Sequence, residues 1–219
     1  LKWVHGLALA AFLTACASPQ SKPTGVSRMD VSFKVSKFDD EALLEVLTEL
    51  NKVPRWYRKV VDDYEGKMVL AEGSLVDYVE FADNAGVFHP TAGLWDNIPG
   101  AYDKTTKQAF IIVGRQGGSG SLPLHEYGHL LDDALGTPSR DMDFRAIFSV
   151  CRIRERYGRP VMRDHARLDM DAEEFWADSF TDYHRGVESR AELLDYFPES
   201  FHYFSRLEKQ VRSSEGVGR

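Results

Sequence analysis

Leu124-His125-Glu126-Tyr127-Gly128-His129-Leu130-Leu131-Asp132 carries two patterns in one short run. On a period of 3.6 residues, His125 and His129 stand one turn apart on one face, with Asp132 below them, where it is expected to support a ligand histidine from behind. Leu124, Tyr127, Gly128, Leu131 and Leu135 form a separate apolar stripe. The spacing predicts a helix from Leu122 to Leu135, stopped at Gly136 with Pro138 beyond. One face of that helix docks in a core while the other presents two imidazoles that can chelate one ion.

Zinc accepts neutral histidine nitrogens, and a catalytic zinc site uses three protein ligands with a fourth position left open. Glu126 follows the first histidine directly. That puts its carboxylate beside the ion rather than on it, where it can take a proton from an attacking water. A plain core helix with two chance histidines is the simpler reading, but Gly128 argues against it. Glycine inside a helix costs about 1 kcal/mol relative to alanine, so close approach of another backbone is expected there.

A third ligand has to come from elsewhere. Asp171-Ala-Glu-Glu174-Phe-Trp-Ala-Asp178-Ser-Phe offers Glu174 and Asp178 at i, i+4 on one helix face. Glu174 can ligate the metal, and Asp178 can accept the second N–H of a ligand histidine and fix its tautomer. Asp171 followed by Glu174 is also a capping-box spacing, in which Glu174 would only bond the helix start. Glu173 is the competing carboxylate, but it lacks an aspartate four residues on.

Further out, the elements fall into an order. Val31–Lys37 alternates as a strand, with Val31, Phe33 and Val35 inward. Asp39-Asp40 caps a helix carrying Leu43, Leu44, Leu47 and Leu50, and a second helix follows Pro54 from Arg55 to Tyr64. Lys67–Ala71 and Ala109–Val113 read as strands, the second placed as the edge strand that binds an extended peptide by strand addition. Residues 72–100 are rich in turn signals, and Gly114–Ser121 is a Gly- and Ser-rich loop at the rim of the site. Trp95 and Tyr102 read as core aromatics, with pocket lining as the other reading. Helices follow at about 141–156, 171–185 and 197–213. Mixed elements first and helices afterwards make an α+β fold, a small sheet packed on helices.

The N-terminal segment has a different character. Lys2 precedes an apolar run from Gly6 to Leu13 that is too short to span a bilayer, as in a signal peptide. Leu13-Thr14-Ala15-Cys16 resembles the bacterial lipobox, which implies lipidation of Cys16 after removal of residues 1–15. Residues 16–30 then form a lipidated N-terminus and polar tether, and residues 31–213 the folded domain. Acyl chains on Cys16 would hold the protein at a membrane without a spanning helix. Residue 17 is Ala and not Asp, which by resemblance to the Gram-negative sorting pattern favours an exported protein at the outer membrane.

Composition narrows the function classes. The 219 residues are 43% hydrophobic, which is enough for a core. The net charge is -7, and no basic patch points to a nucleic-acid partner. Two cysteines exclude a four-cysteine zinc site, and Cys151 falls on the apolar stripe of a helix with Phe144, Ile147 and Phe148.

The two motifs together resemble a known family. His125-Glu-Tyr-Gly-His129-Leu-Leu-Asp-Asp, followed by Glu174-Phe-Trp-Ala-Asp178-Ser-Phe, is similar to the catalytic domain of anthrax lethal factor and the related Pro-Pro endopeptidases. Phe197-Pro-Glu-Ser-Phe-His-Tyr-Phe resembles the closing helix of that family. The resemblance implies a gluzincin-type zincin fold over about residues 40–213, with His125, His129 and Glu174 as ligands of one Zn2+ and Glu126 as general base. The family carries a tyrosine seven residues before the third ligand, and Arg167 stands at that place here. Tyr157, His165 and Arg167 are therefore the candidates for stabilising the oxyanion. The expected activity is zinc-dependent endopeptidase cleavage of an extracytoplasmic protein or peptide. The alternative is a non-catalytic surface lipoprotein that uses the same scaffold for binding, and Glu126 separates the two, since a structural site needs no general base.

Overall fold

Lys67–Ala71 and Gln108–Ile112 are short, nearly continuous apolar runs, as strands buried on both faces must be. Both lie in the middle of the sheet, and Met68, Val69, Leu70, Phe110 and Ile111 are wholly inaccessible. These two strands organise a computed structural model that describes residues 31–34, 39–89, 93–118, 120–156 and 171–214.

In chain order the elements are β1 (Val31–Phe33), α1 (Asp40–Leu50), α2 (Arg55–Asp63), β2 (Lys67–Ala71), β3 (Phe88–His89), β4 (Gly93–Leu94), β5 (Gly100–Asp103) and β6 (Gln108–Ile112). Helices follow: α3 (Leu122–Ala134), α4 (Met142–Arg156), α5 (Ala172–Arg185), α6 (Val187–Tyr196) and α7 (Pro198–Ser214). The fold is α+β. The main sheet runs β1-β2-β6-β5, with β1, β2 and β6 parallel and β5 antiparallel on β6. A separate two-stranded ribbon pairs β3 with β4.

The sheet separates two layers of core. Met68, Leu70, Ala109 and Ile111 meet the helices, where Leu124, Tyr127, Trp176, Phe180 and Phe204 fill the interior. Val69, Ala71, Phe110 and Ile112 face the other way, under Leu75, Phe81 and Ile98 from the irregular segment after β2. Each large side chain so buried contributes about 1.5–3 kcal/mol.

Local signals set the helix limits. The Asp39 carboxylate accepts from Ala42 N at 2.9 Å and starts α1, and α2 begins directly after Pro54. Helix α3 ends where Gly136 takes φ +85°, a left-handed value that glycine reaches without strain.

Three features differ from the sequence reading. Residues 72–100 hold three 3-10 turns, the β3–β4 ribbon and the start of β5. Helix α6 comes before α7 as a separate element, split from α5 at Gly186. The third concerns the edge strand: β6 lies between β2 and β5, so Ala109–Val113 is interior, and among the described residues the edges of the sheet are β1 and β5. Asp103 accepts from Thr105 N and Thr106 N, turning the chain so that Gly100–Asp103 folds back along β6 and covers it. Of the expected strand at Val31–Lys37, Val31–Phe33 is described, and residues 35–38 lie outside the described residues, as do residues 1–30 with the signal and Cys16. Among the described residues, no helix is long and apolar enough to cross a membrane.

Candidate metal centre

The apolar stripe of α3 seats Leu124, Tyr127, Leu130 and Leu131 in the core with no exposure. Docking that stripe leaves the two imidazoles facing α5, which lies antiparallel along α3. The two helices come close at Gly128. A Cβ built there would lie 3.0 Å from Ala177 Cα, so any side chain would push the helix carrying Glu174 back by a few tenths of an ångström.

At the seam His125 Nε2 and His129 Nε2 stand 3.1 Å apart. The Glu174 carboxylate reaches His125 Nε2 at 3.4 Å and His129 Nε2 at 3.5 Å. All three ligand atoms lie within 4.8 Å of one another. A tetrahedral zinc with bonds near 2.05 Å holds its ligand atoms about 3.3 Å apart, and each imidazole stands close to that distance from one oxygen of the Glu174 carboxylate. Two imidazoles and a carboxylate are also the donor set of a catalytic zinc. On the far side of the ring, His125 Nδ1 lies 2.8 Å from Asp178 Oδ1, a bond that leaves Nε2 to face the ligand cluster.

Helix α5 uses its first turn twice. The Asp171 side chain accepts from Glu173 N and Glu174 N and caps the helix, which frees the Glu174 carboxylate to meet the imidazoles. Glu173 turns the other way and pairs with Arg140. Asp132 does not join the centre. Its carboxylate accepts from Ser139 N at 2.8 Å and Ser139 Oγ at 2.6 Å. The correction has a physical cause: the chain after α3 folds back at Gly136, so the nearest donors to Asp132 belong to that turn and not to a ligand histidine.

The charges follow from burial and these partners. Burial opposes a proton on His125, but the hydrogen bonds to Asp178 and Glu174 outweigh it and raise the imidazole well above its ordinary value. Burial, with the charge of His125, lowers His129 to about 4. Burial works against the Glu174 carboxylate, yet the bond from His125 and the charge of His129 hold it down at about 2. Glu126 is 5% exposed and makes no hydrogen bond among the described residues. Burial pushes it up to about 8.

Glu126 sits under β5. Ile112 N donates to Pro99 O at 2.8 Å, so Ala101 and Asp103 bond β6 while the N–H and C=O of Gly100 and Tyr102 face the open edge. The sequence reading missed this strand. Its available signal was the Asp103-Lys-Thr-Thr-Lys turn before Gln108, which marks a hairpin. Of the two aromatics in doubt, Trp95 stacks on Phe81 in the smaller core layer, and the Tyr102 hydroxyl donates to Asp133 at 2.8 Å. Tyr157, His165 and Arg167 lie outside the described residues.

Known proteins share both the sequence pattern and the fold. The family model described as anthrax toxin lethal factor, N- and C-terminal domain, matches residues 31–207. A Pro-Pro endopeptidase of Clostridioides difficile (strain 630) is 25% identical over 186 residues, covering 82% of this chain and 81% of that protein. The solved structure of the Pro-Pro endopeptidase PPEP-2 from Paenibacillus alvei has the same fold, with a TM-score of 0.68 at 20% identity. That match covers 81% of this chain and 96% of the other.

Proposed function

The chain belongs to the anthrax toxin lethal factor family and is a metalloendopeptidase, and from that premise we propose a zinc-dependent enzyme in which Glu126 is the general base. His125, His129 and Glu174 are the residues that would hold the ion. Zinc held there supplies a Lewis acid that acidifies water and polarises a carbonyl. One observation carries the reading: ligand atoms of His125, His129 and Glu174 gather within 4.8 Å of one another, while the Glu126 carboxylate lies on the neighbouring residue, buried and unbonded.

The chain's own groups then have distinct duties. The open edge of β5 presents the N–H and C=O of Gly100 and Tyr102 to an extended peptide, which adds as a strand. Glu126 takes the proton of the water that attacks the scissile carbonyl and passes it to the leaving amine. Asp178 keeps the His125 ring oriented. The substrate is a protein or peptide outside the cytoplasm. Because the similar proteins are Pro-Pro endopeptidases, peptides with a Pro-Pro bond are the first to include in a library.

Glu126→Ala and Glu174→Ala, measured together, test the assignment. Glu126→Ala should keep about one zinc per chain and lose roughly 10²–10⁴ in turnover of a responsive library peptide. Glu174→Ala should weaken zinc binding as well as activity. Near-normal turnover in Glu126→Ala would remove the general base from the mechanism. A wild type that holds zinc and cleaves nothing would make the binding scaffold the better account.

The proposed setting is a lipid anchor on Cys16 at the outer membrane, supported by the lipobox-like run before it. Cys16→Ser should move the protein from the membrane fraction to the soluble fraction. A variant that stays with the membrane contradicts the anchor.

A further inference from the structure

We infer that Gly100, on the open edge strand, is a positioning residue for Glu126: its missing side chain is the space in which the carboxylate stands. The inference rests on Glu126 as the base and adds the residue that holds it in place. A Cβ built at Gly100 would lie 2.9 Å from Glu126 Cγ and 3.0 Å from Glu126 Oε1. Real Cβ atoms essentially never make contacts under 3.0 Å, so a side chain here forces something to move. Backbone freedom does not explain the glycine, because Gly100 is absent from the positive-φ glycines at 73, 86, 93, 114 and 136. Space is the remaining reason.

The Glu126 side chain is the part free to yield. Strand β5 is held from both ends: Ile112 N bonds Pro99 O at 2.8 Å, and the Tyr102 hydroxyl bonds Asp133 at 2.8 Å. Lys104 adds an ion pair to the same carboxylate at 2.6 Å. Glu126 has no hydrogen bond among the described residues and is placed by packing alone. A methyl group at position 100 therefore turns the carboxylate away from the edge along which a peptide would lie. The same methyl would lie 2.9 Å from Phe110 O, a backbone contact that does not involve Glu126, and the experiment must separate the two.

A double-mutant cycle does so, with Gly100→Ala, Glu126→Ala and the combined variant prepared beside the wild type. Each is measured for zinc content, thermal midpoint and steady-state cleavage of one responsive library peptide. Gly100→Ala should keep its zinc and lose roughly tenfold to hundredfold in kcat, as an ångström of misplacement does, with KM changed only a few-fold. In the Glu126→Ala background, Gly100→Ala should lower kcat no further. The thermal midpoint should fall less on adding Gly100→Ala to Glu126→Ala than to the wild type, because the side chain that fills the space is gone. Equal losses of kcat in both backgrounds, or an unchanged kcat in the single variant, would overturn the inference.

Should Gly100→Ala not fold, the combined variant should still fold. A combined variant that fails equally would place the whole clash on Phe110 and end the inference. The thermal coupling also tells the two readings apart. Coupled midpoints in a protein that cleaves no peptide would leave Gly100 and Glu126 sharing one space while removing the enzymatic reading.

Discussion

His125, packed on helix α5, and His184, within its last turn, rest in opposite states. At the N-terminal half His125 lies against Asp178, 2.8 Å from a carboxylate, and its affinity for a proton is raised. In the last turn His184 is packed among Tyr57, Phe180 and Tyr183, with ring centroids 5.6, 4.5 and 5.0 Å away. Its Nε2 has no hydrogen-bond partner among the described residues. Burial lowers it to about 3, with the Arg190 charge adding to the effect. Burial alone drives an imidazole neutral, and a buried carboxylate within hydrogen-bond distance reverses the outcome. One half of the helix is built around ions and the other around aromatic packing.

The largest test of that division is Gly128→Ala, which acts on the close contact between α3 and α5. A Cβ there meets Ala177 Cα at 3.0 Å, so the helices must separate near Glu174. Overpacking of this kind costs about 1–3 kcal/mol in urea unfolding, and zinc affinity should fall with it. Unchanged stability and zinc affinity would show that the seam tolerates a wider spacing.

Asp178→Asn is the next in size. It keeps an acceptor for His125 Nδ1 but removes the charge, and zinc affinity measured against a competing chelator should fall roughly 10–100-fold. An unaltered affinity would mean that the His125 orientation does not depend on Asp178.

The smallest effect is on the aromatic half. The folded pKa of His184 is about 3, below the ~6.5 of an unfolded chain, so the unfolded state takes the proton first. Stability from this residue is complete above pH 6.5 and is lost as pH falls toward 3. From pH 7 to pH 5 the loss is at most about 2 kcal/mol in the zinc-free protein. His129, lowered to about 4, contributes with the same sign. His125, with its raised value, contributes with the opposite sign, its stability being lost as pH rises through its folded pKa. Urea midpoints for wild type and His184→Phe across this range isolate the one residue: the variant should show a flatter pH dependence. Identical slopes would contradict a buried neutral His184.

Legibility in the sequence followed the range of the interactions. Helix α3 was readable because its apolar stripe and the Gly136 stop lie within fifteen residues. The Asp171 cap and the Glu174/Asp178 face were readable for the same reason. Strand β5 was not, since Gly-Ala-Tyr-Asp is four residues long with no alternation, and it is a strand only because β6 pairs with it. The break that makes α6 separate from α5 rests on one glycine, Gly186, in extended backbone. Asp132 shows the converse error. Its spacing from His129 was right for a shared face, but side-chain partners depend on where the following turn goes, and Ser139 took the carboxylate.

By itself the sequence determined the helices that carry the chemistry and the residue types on their faces, because 3.6-residue periodicity and capping are local. Tertiary structure alone decided which carboxylate meets the imidazoles, since Asp178 lies 53 residues from His125 and reaches it only after α3 and α5 pack at Gly128 and Ala177. It also decided that Glu126 is buried under an edge strand with glycine above it, a contact between elements that no period in the sequence encodes.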